Sequence, residues 1–144
     1  MELPFKRLRP EAELPAAQHV GDAGLDLRSA VEVVVGPGER AMIPTGVAVA
    51  IPDGHAGLVL PRSGLASKRG LTLANAPGLI DAGYRGEVIC AVVNLDRDAK
   101  VEIGIGDRIA QLVLVELPWV TPSWAEELPG SARGEGGFGS TGTA

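Results

Sequence analysis

Gly78-Leu-Ile-Asp81-Ala-Gly-Tyr84-Arg-Gly-Glu87-Val-Ile-Cys-Ala-Val-Val93 is the stretch on which the reading of the fold turns. Two short apolar runs flank a turn built from Asp-Ala-Gly-Tyr, so Asp81 and Tyr84 project near a loop tip. The run 88–93 is apolar at every position, so a strand there is apolar on both faces. In a small sandwich, such a strand calls for another subunit on its outer face, and an oligomer is expected. The pattern continues outward as short β-branched or alternating runs at 31–35, 47–51, 58–60, 71–73, 88–95, 100–103 and 108–117. With 20 Gly and 11 Pro punctuating 144 residues, helices longer than two turns have little room. The expectation is an all-β sandwich or barrel with one short helix at 64–69, Ser63 serving as its N-cap.

A chain of 144 residues suits one domain with one core. It is 45% hydrophobic but 3% aromatic, so Val, Ile, Leu and Ala must build that core. The formal charge of -5 argues against non-specific nucleic-acid binding, which relies on basic patches. It leaves room for a small phosphate ligand held by a few local arginines. No run approaches the roughly 18 apolar residues of a membrane helix, and the N-terminus lacks the features of a secretory signal. A single cysteine, Cys90, forms no internal disulfide and points to a reducing compartment, by default the cytoplasm. His19, His55 and Cys90 are too few for a closed zinc site, and neither HExxH nor GxxxxGK[ST] occurs. A metal, if used, would be a hard cation held by carboxylate, water and substrate phosphate. The division expected is a folded domain over 1–129 and a flexible Gly-rich arm over 130–144, where six of 15 residues are Gly.

Five segments carry candidate chemistry, and each has a plain structural reading beside it. In Asp22-Ala-Gly-Leu-Asp26-Leu, alternation turns Asp26 away from Leu25 and Leu27. It is either an outward strand carboxylate or an acceptor for metal-bound water or a sugar hydroxyl. Pro61-Arg62-Ser63-Gly64-Leu65-Ala66 joins a strand end to a helix start; it is a capped helix with a surface Arg, or an anion site. In Asn75-Ala-Pro-Gly-Leu-Ile-Asp81-Ala-Gly-Tyr84, Asp81 is a turn residue bonding its own backbone or a general base. Tyr84 is the only tyrosine and sits poorly in a turn unless its ring contacts something. In Gly106-Asp107-Arg108-Ile-Ala-Gln111, the amide of Gln111 interrupts an apolar strand and needs structural or phosphate partners. The arm, Arg133-Gly-Glu-Gly-Gly-Phe138-Gly139-Ser140-Thr141, formally contains GxGxxG, but no βαβ context supports a dinucleotide fold. It is a solvated tail, or a strap that wraps phosphates and lays a ring on a base.

Taken together, these five segments, in this order from Asp22 to Gly142, resemble the five motifs of the trimeric dUTPase family. The resemblance implies a β jelly roll, a homotrimer with three shared active sites, and hydrolysis of dUTP to dUMP and pyrophosphate. Such an activity limits uracil in DNA and supplies dUMP for thymidylate synthesis. Residue by residue, it implies that Asp81 activates the water attacking the α-phosphorus. Tyr84 packs on the sugar and excludes a ribose 2′-hydroxyl, and Asn75 with the hairpin after it reads uracil. Ser63 and Gly64 contact phosphate, with Arg62 and Gln111 in support. Asp26 orients a water bound to Mg²⁺, the implied cofactor. Arg133 clamps the γ-phosphate, Phe138 stacks over uracil, and Gly139, Ser140 and Thr141 close the arm over the substrate. Neither nucleic acid nor a membrane is an expected partner. Ala132 and Leu25 depart from common family choices without touching a proposed catalytic group. A dCTP deaminase of the same fold superfamily would need Glu at the position of Ala91. A non-catalytic nucleotide-binding module is the other rival, and an intact Asp81 and arm argue against it.

Overall fold

The computed structural model describes residues 1–143; Ala144, the last residue of the expected arm, lies outside the described residues. The order of elements is β1 (Phe5–Arg7), β2 (Leu25–Arg28), β3 (Val33–Val35), β4 (Arg40–Val49) and β5 (His55–Leu60). The helix α1 (Ser63–Arg69) follows, then β6 (Leu71–Leu73), β7 (Gly78–Ile80), β8 (Glu87–Asn94), β9 (Val101–Ile103) and β10 (Arg108–Glu116). Two four-stranded sheets, ordered β1-β4-β8-β6 and β2-β10-β5-β7, share one core, and β3 pairs with β9 in a small third sheet. The ladders are antiparallel throughout and the sheets remain open, a jelly-roll-like all-β fold. Among the described residues, no helix is long and apolar enough to cross a membrane.

The core is aliphatic, as the lack of aromatic residues requires: Leu27, Ile43, Leu71, Leu112, Val35, Val49 and Val92 are its largest fully buried apolar side chains. Both tryptophans, Trp119 and Trp124, stand in solvent. The run 88–93 alternates as a strand must, with Val88, Cys90 and Val92 in the core and Ile89, Ala91 and Val93 facing out. Burial pushes the Cys90 thiol up to about 12. The outward face continues onto Met42, opposite Ala91, and is apolar and uncovered on this chain.

Three expectations are corrected. The runs on either side of Asp81 and Tyr84 are not a paired hairpin, because β7 pairs with β5 while β8 pairs with β4 and β6. The turn therefore carries the chain from one sheet to the other. Ser63 is the first helical residue, not the cap; Arg62 is the cap residue and makes no side-chain cap bond. The strand expected at 47–51 begins much earlier, at Arg40. Pro44 hides it in the sequence, and the register shift between Pro44 and Ala48 shows how the ladder admits a proline.

Candidate active site

The register of the second sheet builds the first half of the site. On β10, Gln111 lies opposite Asp26 of β2 on one side and Leu60 of β5 on the other. The chain leaves β5 through Pro61 and enters α1 through Arg62, Ser63 and Gly64, so three distant segments converge. Gln111 donates from Nε2 to the Pro61 carbonyl at 3.0 Å. Its amide crosses Gly24 so closely that a Cβ there would collide with Oε1, which accounts for glycine at that position. The result is a recess of about 460 Å³ lined by Asp26, Arg62, Ser63, Gly64, Arg108 and Gln111, with Gln18, His19 and Asp22 at its edge.

Asp26 is not the outward strand carboxylate that alternation suggested; it is 8% exposed and sits between two guanidinium groups. Arg62 Nε lies 3.3 Å from Oδ1, and Arg108 places NH1 3.4 Å from Oδ2. Such partners offset the cost of taking a carboxylate out of water. Arg108 is the residue that sequence reasoning missed. It is three positions from Gln111, which on a regular strand puts the two on opposite faces. A register shift between Arg108 and Ala110 breaks the alternation, and Ile109 and Ala110 are buried in succession. The bulge re-aims Arg108 toward Asp26. The one available signal was an acidic residue in an apolar strand, which demands a cation somewhere.

The second half of the site lies where β7 hands over to β8. Gly78 and Ile80 of β7 are buried and Leu79 is exposed, so Asp81 follows Leu79 onto the outer side. The Tyr84 N–H donates to the Asp81 carbonyl at 3.0 Å and closes the turn. Arg85 donates from NH1 to the Ala82 carbonyl at 2.6 Å and the Tyr84 carbonyl at 2.9 Å. The Tyr84 hydroxyl donates to the Glu87 carbonyl at 2.9 Å. Asn75, Asp81 and Tyr84 face a recess of about 320 Å³ whose walls include Leu79, Ile89 and Met42. Glu87 at its edge accepts from Arg9 Nε and from the Gly46 N–H, both at 2.8 Å. The Arg9 bond, joined by the Gly46 N–H, holds the Glu87 carboxyl below its ordinary value, against the opposing effect of burial.

These two recesses are separate on this chain, with no residue common to their walls. The arm joins neither of them. Beyond Glu116 the side chains are exposed almost without interruption, and Phe138 extends fully into solvent at a positive φ of 50°. The hydrogen bonds of the arm run within itself: Gly136 N–H to the Arg133 carbonyl at 3.2 Å, and Ser140 N–H to the Gly137 carbonyl at 3.0 Å. Arg133, Gly139, Ser140 and Thr141 thus lie away from the groups the sequence grouped with them.

The donor set bears on the metal. Among the described residues, no three or more His, Cys, Asp or Glu come together as a cation cage. One carboxylate between arginines does not replace the water shell of Mg²⁺. It does fit a Mg²⁺ that arrives on polyphosphate and keeps its waters.

Comparison with known proteins identifies the family and the fold. The dUTPase family model matches residues 10–142. The deoxyuridine 5′-triphosphate nucleotidohydrolase of Streptomyces coelicolor is 56% identical over 142 residues, covering 99% of this chain and 78% of the relative. That of Mycolicibacterium gilvum is 55% identical over 141 residues, covering 94% and 92%. Among solved structures, a variant of the Staphylococcus bacteriophage 80alpha dUTPase with dUpNHpp superposes with a TM-score of 0.93 at 36% identity, covering 99% of both chains. A variant dUTPase from phage phi11 of S. aureus, described with a structural Mg(II) ion, gives a TM-score of 0.84 at 32% identity, covering 90% of this chain and all of that one. The chain belongs to the dUTPase family.

Proposed function

We propose that this protein hydrolyses dUTP to dUMP and pyrophosphate, with Asp81 as the base for the attacking water. The observation that carries the reading is the shared recess of Asn75, Asp81 and Tyr84: a polar amide, a carboxylate and an aromatic ring on one apolar-walled pocket. Asn75 with the backbone around Gly78 reads uracil, and Tyr84 packs on the deoxyribose. Asp81 takes a proton from water in line with the α-phosphorus. The polyphosphate lies in the other recess against Ser63, Gly64, Arg62 and Gln111. Asp26 would hold Mg²⁺ through a water, and the ion would supply charge neutralisation for the polyphosphate. The arm supplies Arg133 to the γ-phosphate and Phe138 to the uracil face, with Gly139, Ser140 and Thr141 completing the closure. Bulk water, apart from the attacking molecule, is thereby excluded from the reacting centre.

Because the two recesses are separate and the arm reaches neither, the site is completed between chains, in a homotrimer. The uncovered apolar face of Ile89, Ala91 and Met42 supports that assembly. The lone buried thiol of Cys90 suits the cytoplasm, and the product suits the limiting of uracil in DNA and the supply of dUMP for thymidylate synthesis. Incubation with dUTP, dCTP, dTTP and UTP in Mg²⁺, followed by product analysis, tests the reading. Release of dUMP and pyrophosphate from dUTP alone is expected. Ammonia from dCTP, or no turnover of any nucleotide, would overturn it.

A further inference from the structure

The position of the Tyr84 ring is fixed by three neighbours rather than by the turn alone. Its hydroxyl reaches back to the Glu87 carbonyl at 2.9 Å, which lays the ring across the backbone of Gly86. A Cβ added at Gly86 would collide with the hydroxyl oxygen and stand 2.7 Å from Cζ and 3.1 Å from Cε2. The receiving residue is itself anchored, since the Glu87 carboxylate accepts from Arg9 at 2.8 Å and 3.3 Å and from the Gly46 N–H at 2.8 Å. Arg85 ties the carbonyls of Ala82 and Tyr84 together from the other side. Tyr84 is 46% exposed and lines the recess that also holds Asp81.

We infer that Gly86 is a specificity-positioning residue. Its missing side chain, with the Glu87 carbonyl, sets the ring of Tyr84 at the depth that accepts a 2′-deoxy sugar and refuses a 2′-hydroxyl. The inference rests on Tyr84 being the sugar contact proposed above. A methyl group at Gly86 meets the far end of a side chain, not packed backbone, so the chain still folds and the ring yields. Relieving the overlap needs a displacement on the order of 1 Å, comparable with the space a hydroxyl oxygen needs. The hydroxyl bond to Glu87 is lost in the same movement. Discrimination between sugars should then fall while Asp81 remains able to act on either.

Steady-state kinetics with dUTP and UTP test this on the wild type, Gly86→Ala and Tyr84→Phe, with thermal melting of each. Gly86→Ala is expected to lower the dUTP-to-UTP ratio of kcat/KM by about tenfold or more. Its KM for dUTP should rise more than its kcat falls, and its melting temperature should stay near that of the wild type. Tyr84→Phe removes only the tether and should lower the ratio about fivefold, the worth of one hydrogen bond. A wild-type ratio in a Gly86→Ala protein that still hydrolyses dUTP would overturn the inference. So would an equal loss on both substrates. If Gly86→Ala does not fold, a wild-type ratio in Tyr84→Phe overturns it alone. Equal turnover of dUTP and UTP by the unsubstituted protein would sink the sugar-contact reading itself, and that result is visible before any variant is made.

Discussion

Asp81 and Asp26 place one residue type in opposite surroundings. Asp81 sits on an exposed turn beside an aromatic ring, whereas Asp26 is buried between Arg62 and Arg108. Replacing Asp81 with Asn preserves shape and removes the base. It should lower kcat by about 10²–10⁴-fold while calorimetry still detects dUpNHpp binding. Near-normal turnover would remove Asp81 from its proposed role. Glu87 supplies a pH signature that is independent of catalysis. Its folded carboxyl is held low by Arg9, so its contribution to stability is present above the ordinary glutamate value of about 4.3 and is lost as pH falls through the folded value. Glu87→Gln should therefore unfold more readily than the wild type near neutrality, and the gap should close in acid; a gap independent of pH contradicts the assignment. At this scale the sequence was readable in part. Strand alternation placed Asp26 on the right face but gave no sign of its burial, and it concealed Arg108, because alternation does not foresee a bulge.

Elements were legible where punctuation and period agreed. The expected strand at 71–73 is β6, and those at 88–95 and 108–117 differ from β8 and β10 by a residue or so at their ends. The pairing of β7 and β8 was not legible, since a short turn between apolar runs looks the same whether it makes a hairpin or carries the chain between sheets. One polar residue shows what locks these elements. Asn94, fully buried at the end of β8, donates from Nδ2 to the Val35 carbonyl at 3.0 Å and the Ala99 carbonyl at 2.8 Å. Its Oδ1 accepts from the Asp96 N–H at 2.9 Å, so the β3-β9 sheet is tied to β8 through a single side chain. Asn94→Ala should cost about 2 kcal/mol in chemical denaturation, because buried groups lose their partners; a change within error would show the ties to be incidental. The arm predicts the reverse. Its side chains are exposed and its bonds internal, so truncation after residue 129 should leave the unfolding midpoint unchanged and reduce dUTP hydrolysis severely. Full activity in the truncated protein would rule out closure by the arm.

The whole molecule is where the sequence said least and the structure adds most. Five motifs read along one chain suggest one site, yet the chain holds them as two separate recesses and a free arm. The apolar outer face of β8 gave a hint of assembly, but periodicity cannot say which recess meets which across an interface. In the proposed assembly, Asp81 of one chain acts on a substrate held by its neighbours. Mixing two inactive proteins, Asp81→Asn and the chain truncated after residue 129, tests it most directly. The two are unfolded and refolded together, and mixed assemblies are verified by native mass spectrometry. If every site draws its base and its arm from different chains, random mixing should restore about a quarter of wild-type dUTP hydrolysis. Verified mixed assemblies with no more activity than either parent would place base and arm on the same chain and rule out a site shared in this way.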